Sequence, residues 1–125
     1  MSKQFASVIA RTLDDKLGKD ITILNISSVS SLADFFVIVS GESAPQVKAL
    51  MNAVRERVKE LFKRLPTRFE NDPKNRWNLL DYGDVVVHIL HKEERETYAL
   101  EKFWNNAFSI PESEWKKLSE EYSAY

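Results

Sequence analysis

The stretch "DFFVIVSGESAPQVKALMNAVRERVK", residues 34–59, decides the fold. Phe35 to Val39 are apolar at consecutive positions, so a strand there is hydrophobic on both faces, as a central covered strand must be. The period then changes. Val47, Leu50, Met51, Val54, Val58, Leu61, Phe62 and Leu65 recur every three or four residues, the stripe of a core-facing helix. Ser43 is placed to cap that helix, Gln46 to complete a capping box, and Pro45 suits its first turn. Pro66 stops it. A buried strand feeding a long helix is a unit of α/β architecture.

Upstream, Phe5, Val8, Ile9, Leu13 and Leu17 mark an amphipathic helix ended by Gly18. "DITILNI" (20–26) reads as a strand and "SSVSSL" (27–32) as a loop. Downstream, "TRFE" (67–70) is a short edge strand and "NDPKN" (71–75) a turn-rich loop. "RWNLLDY" and "DVVVHIL" form an antiparallel hairpin, with Gly83 supplying the positive φ. A further helix is predicted from near Lys92 to about Asn105. A last one lies in "SIPESEWKKLSEEYSAY", with Ser109 and Glu112 as a capping box and Trp115, Leu118 and Tyr122 as its stripe. The predicted order α-β-β-α-β-β-β-α-α describes a single α/β domain, a mixed sheet flanked by helices.

A chain of 125 residues fits one domain, and seven Phe, four Tyr and three Trp can anchor its core. With no cysteine, a disulfide framework and thiolate chemistry are excluded. No apolar run approaches the roughly 18 residues of a membrane span. The N-terminal polar residues fall at helical spacing, unlike a signal peptide. The expectation is a soluble cytoplasmic protein. A net charge of −1 argues against a general nucleic-acid binder. The charge is uneven: residues 44–76 carry nine Lys and Arg against four Asp and Glu, whereas residues 77–125 carry five against ten. The acidic half can steer toward a basic partner, or both halves can simply be solvated faces.

The chemistry-bearing residues gather in "LLDYGDVVVHILHKEERETY", residues 79–98. His88 and His91 stand three apart and so point to opposite faces of a strand. His91, Glu94 and Arg95 could share the first turn of the following helix, but one His and one Glu make a thin ligand set. Two-metal phosphoryl transfer needs carboxylates on one side of the sheet. Asp81 and Asp84 are split by the turn, and Asp34 is the other candidate for an enzyme of nucleotidyltransferase type. "SGES" (40–43) could offer free N–H groups to a phosphate, but Glu42 puts an anion at that mouth. Trp77, Tyr82, Tyr98 and Trp104, aromatics among charges, fit a protein-binding surface or the core.

"RWNLLDYGDVVVHILHKEERETYALEKFW" resembles the signature of the Iojap-like ribosomal silencing factor S family. The matching positions are Trp77, Leu79, Leu80, Asp81, Tyr82, Gly83, Asp84, Val86, Val87, His88, Glu93, Arg95, Tyr98, Leu100, Glu101 and Trp104. "ADFFVIVSGESAPQVKALMNAVRERVK" also resembles a family segment, and the likeness covers roughly residues 4–105. It departs at Asn71, where the family commonly has Gly. The resemblance implies a nucleotidyltransferase-like fold without catalysis and without a cofactor. It implies binding to a large-subunit ribosomal protein, number fourteen, on the face where the small subunit docks, so that subunit joining is blocked. Homodimers are implied as well.

On that basis residues 1–106 are the family domain and 107–125 a C-terminal helical extension that packs on the body or reaches the partner. The expected partner-binding patch is Trp77, Leu80, Tyr82, Asp84, His88, Glu94 and Tyr98, with no metal. Trp77 and Tyr82 would be apolar anchors, and Asp84 and Glu94 would meet basic groups. The rivals are a nucleotidyltransferase-like enzyme using Asp34, Asp81 and Asp84, and an adaptor for another protein complex.

Overall fold

Strand β2 (Phe35–Gly41) is buried at every position, and so is β5 (Val85–His91). The two run parallel, from Phe35 opposite Val85 to Gly41 opposite His91. β1 (Lys19–Asn25) pairs antiparallel with β2 on its other side. β4 (Trp77–Asp81) and β3 (Arg68–Glu70) extend the sheet beyond β5, and β6 (Phe108–Ile110) adds to β1. The result is one six-stranded mixed sheet of order β3-β4-β5-β2-β1-β6. These coordinates are a computed structural model that describes residues 2–99, 102 and 107–122.

Alternation along the strands makes two cores. Phe35, Val37, Val39, Val85, Val87 and Ile89 face helices α1 (Ser2–Asp15), α2 (Ala44–Phe62) and α4 (Glu112–Leu118), and meet Phe5, Val47 and Trp115 there. Phe36, Ile38, Val86 and Leu90 face the other way into a smaller cluster. Helix α3 (Lys92–Tyr98) lies on that second side, where Arg95 donates to Ser40 Oγ and Thr22 Oγ1, each at 3.1 Å. Each buried aliphatic side chain contributes about 1.5–3 kcal/mol, so the helix-covered core carries most of the stability.

The predicted single α/β domain and the Gly83 turn are found. Gly83 has φ +91°, and its N–H donates to Asp81 Oδ1 at 2.8 Å. Ser43 caps α2 by accepting from the Gln46 N–H. Gln46 Oε1 accepts from the N–H of Glu42 at 2.7 Å, and its Nε2 donates to Leu17 O. The Glu42 N–H of "SGES" is thus engaged by Gln46 and is not open to the phosphate the sequence raised.

Four boundaries differ from expectation. Leu17, not Gly18, takes the left-handed conformation after α1, with φ 65°. Gly18 answers a packing need instead, since a Cβ there would lie 2.6 Å from Val39 Cγ2. Helix α2 stops at Phe62, where Lys63 turns left-handed and bonds back to Lys59 O, so Leu65 is exposed rather than part of the stripe. Helix α3 stops at Tyr98, with Ala99 left-handed; the expected end near Asn105 lies outside the described residues, as do Leu100, Glu101 and Trp104. Ser109 is no helix cap: it pairs with Leu24 in β6, and Pro111 occupies the cap position of α4. Pairing with a distant strand outweighs the local capping pattern.

Of the two roles open to the segment after residue 107, the structure shows packing on the body. Trp115 is 2% exposed within the main core. Arg11 donates to Ser119 Oγ and to Lys116 O, and Lys3 pairs with Glu114.

Candidate functional site

Three of the seven predicted patch residues come together on the second face of the sheet. Trp77, at the start of β4, donates its indole N–H to His88 Nδ1 at 3.2 Å. The Tyr98 ring packs on the Trp77 ring with centroids 5.1 Å apart. His88 makes an edge contact with Phe36 at 4.8 Å. Trp77 is half-buried, and Tyr98 is 48% exposed. Strand pairing explains the grouping: Trp77 lies opposite Leu90 and Leu79 opposite His88, while Glu70 stands beside Leu79 on β3. Glu70, Trp77 and Leu79 line a shallow depression there.

Glu94 borders this cluster through Arg76. The Arg76 guanidinium lies 2.6 Å from Glu93 and 2.7 Å from Glu94. The hydrogen bond to Arg76 holds the Glu93 carboxyl below its ordinary range. His91 is a helix cap, its Nδ1 accepting the Glu93 N–H. His91, Glu93 and Glu94 are the one group of three potential metal-ligand side chains among the described residues, and Arg76 already neutralises both of its acids.

The other three residues sit elsewhere. Leu80 and Tyr82 fall on the opposite parity of β4 and point into the helix-covered core, where neither offers surface to a partner. Tyr82 packs edge-on against Phe5 at 5.3 Å. Its hydroxyl has no hydrogen-bond partner among the described residues, and burial pushes its pKa up to about 12. The period of two along β4 separates Trp77 from Leu80 and Tyr82 in the sequence itself, and the same rule nominates Leu79, which the predicted patch omitted. Phe36 and Arg76 enter through tertiary pairing and carry no local signal.

Asp84 lies at the other end of the hairpin, roughly 17 Å of strand away from Trp77. Its Oδ1 accepts from Arg64 at 2.8 Å and its Oδ2 from Ser2 Oγ at 3.0 Å. Burial opposes its ionisation, but these two bonds outweigh burial and keep its pKa lowered. Ser2 Oγ also reaches Asp34 Oδ2. Asp81 is bound to the Gly83 N–H and lies 3.8 Å from Arg68. The three carboxylates of the enzyme rival therefore pin a helix start, a turn and an edge strand.

His88 is 8% exposed. Burial, opposed by the nearby Asp81 carboxylate, lowers its pKa to about 4, so the ring is neutral at physiological pH. An indole only donates, so His88 Nδ1 must be the acceptor and the ring proton sits on Nε2. That Nε2 is buried without a partner among the described residues.

Comparison with known proteins gives a consistent set of relatives. The family model described as "Ribosomal silencing factor during starvation" matches residues 1–124. The ribosomal silencing factor RsfS of Bacillus subtilis is 38% identical over 105 residues, which is 84% of this chain and 88% of that protein. Its counterpart in Halalkalibacterium halodurans is 37% identical over 109 residues, 87% of this chain and 92% of that protein. A crystal structure of a Chromobacterium violaceum protein is similar with a TM-score of 0.79 at 33% identity, covering 84% of this chain and 87% of that one. No helix among the described residues is long and apolar enough to cross a membrane.

Proposed function

This chain belongs to the ribosomal silencing factor family, and on that premise we propose that it binds the large ribosomal subunit and lowers translation by blocking subunit joining. The contact is with ribosomal protein number fourteen of the large subunit, as the signature over residues 77–104 implies. The observation that carries this reading is the aromatic cluster of Trp77 and Tyr98, left partly open on the second face of the sheet. Half-exposed Trp and Tyr among charged residues are the usual anchors of protein interfaces. Glu70, Glu93 and Glu94 around them favour a basic partner, with Arg76 as the group such a partner must share them with.

The work is steric and needs no cofactor. Silencer and small subunit compete for one face, so each lowers the apparent affinity of the other by mass action. The protein acts in the cytoplasm, where ribosomes exchange subunits. Sucrose-gradient joining assays test this in both orders of addition. Added to separated subunits, the protein should reduce the joined particles; added to preformed particles, it should act only as fast as they dissociate. Co-sedimentation with joined particles at undiminished amount would remove the steric block.

A further inference from the structure

The cluster at the proposed interface contains one side chain that is 8% exposed and bonds to its more open neighbour. Trp77 is the anchor of the proposed interface, and its indole N–H has His88 Nδ1 as its hydrogen-bond acceptor. The imidazole is wedged between Trp77 and Phe36, with ring centroids 6.0 Å and 4.8 Å away. It stands on β5, which is buried along its whole length and pairs on both sides, so the sheet fixes its backbone. Trp77 by contrast begins a strand, where the chain has just left the loop ending at Arg76.

The local chemistry of His88 is poor for simple core filling. Among the described residues its buried Nε2–H has no partner, and an unpaired buried donor costs about 1–3 kcal/mol. An aliphatic side chain would fill the same space without that cost. What an aliphatic side chain lacks is the acceptor for Trp77.

We propose that His88 is a positioning residue: its Nδ1 fixes the Trp77 indole in the orientation that meets the protein partner, and His88 itself makes no contact with that partner. This rests on the reading that the second face docks on the large subunit. The inference concerns how the anchor is held, a step beyond which residues form the surface.

Two substitutions separate positioning from packing. His88→Leu keeps the volume and removes the acceptor. His88→Asn keeps an acceptor oxygen near the place of Nδ1. The chain has three tryptophans, so a ¹⁵N spectrum has three indole N–H signals, and Trp77→Phe identifies the one that matters.

In His88→Leu the Trp77 signal should shift and its hydrogen exchange quicken by about tenfold. Affinity for purified large subunits should fall by about tenfold, the size of a modest anchor defect. His88→Asn should restore both to within about twofold of wild type. Wild-type affinity in a folded His88→Leu protein would overturn the proposal. So would lost affinity with an unmoved Trp77 signal, because His88 would then touch the partner directly. Restored indole geometry without restored affinity in His88→Asn would overturn it equally. If Trp77→Ala itself binds large subunits normally, the docking reading has failed first, and the two failures are told apart.

Discussion

Each face of the sheet carries a tryptophan and a buried polar atom without a partner among the described residues, yet the two faces use them differently. On the helix-covered face Trp115 is almost completely enclosed, and the orphan atom is the Tyr82 hydroxyl. On the other face Trp77 keeps part of its ring open, and the orphan is His88 Nε2. The first face is closed by helices α1, α2 and α4 of its own chain. The second has the short helix α3 at one end, and Trp77 and Leu79 stay half-open beside it. An aromatic residue enclosed by its own fold is a stability element, and one left half-open is free to bury its remaining surface elsewhere.

The contrast breaks most readily at the two tryptophans. Trp115→Ala should cost about 3–5 kcal/mol of stability, as large truncations in a core do. Urea unfolding measures it, and a loss under about 1 kcal/mol would mean that α4 is not part of the core.

The next effect is a pH dependence. His88 holds its neutral form down to about pH 4, whereas the unfolded imidazole gains a proton near 6.5. Between those values the unfolded state binds the extra proton, so the contribution is fully present above pH 6.5 and is lost as pH falls toward 4. The size is about 3 kcal/mol. The difference between wild type and His88→Leu, followed by denaturation from pH 7 to 4, isolates this from the carboxylates. Parallel curves would show that the imidazole takes up its proton in the native fold.

Trp77→Ala should weaken large-subunit binding by about 2 kcal/mol while costing less stability than Trp115→Ala. If the two substitutions have the same stability cost and neither alters binding, the division of the faces is wrong.

The smallest effect is Tyr82→Phe, which removes an unpaired hydroxyl and should leave stability unchanged or raise it by about 1 kcal/mol. It should also abolish a loss of stability above pH 10. There the unfolded phenol ionises, while the folded one keeps its proton to about 12.

The elements that could be read from the sequence are those with a long local period. β2 is apolar at consecutive positions and α2 repeats over several turns, and both are found, α2 ending at Phe62 just short of the expected stop. The hairpin was legible because Gly83 must take a positive φ. β6 was not, because its three residues owe their strand form to β1, far away in sequence. The site was half legible. Trp77, His88 and Tyr98 lie together with Glu94 at their border, but Leu80 and Tyr82 were expected beside them against the alternation along β4. Asp84 looked like a surface acid because nothing local announces Arg64 and Ser2 as its partners.

The pairing of β2 with β5 bears on how this chain is made. Phe35 finds its parallel neighbour only at Val85, and Ile23 finds Ile110. During synthesis the first helix and the first two strands leave the exit tunnel with the β5 edge of β2 unpaired and its second face uncovered, and a lone hairpin is marginal in water. The main core closes only when Trp115 emerges to meet Phe5. Such distant pairings make folding slow and its intermediates sticky. The nascent chain therefore stays unsealed until Trp115 has emerged.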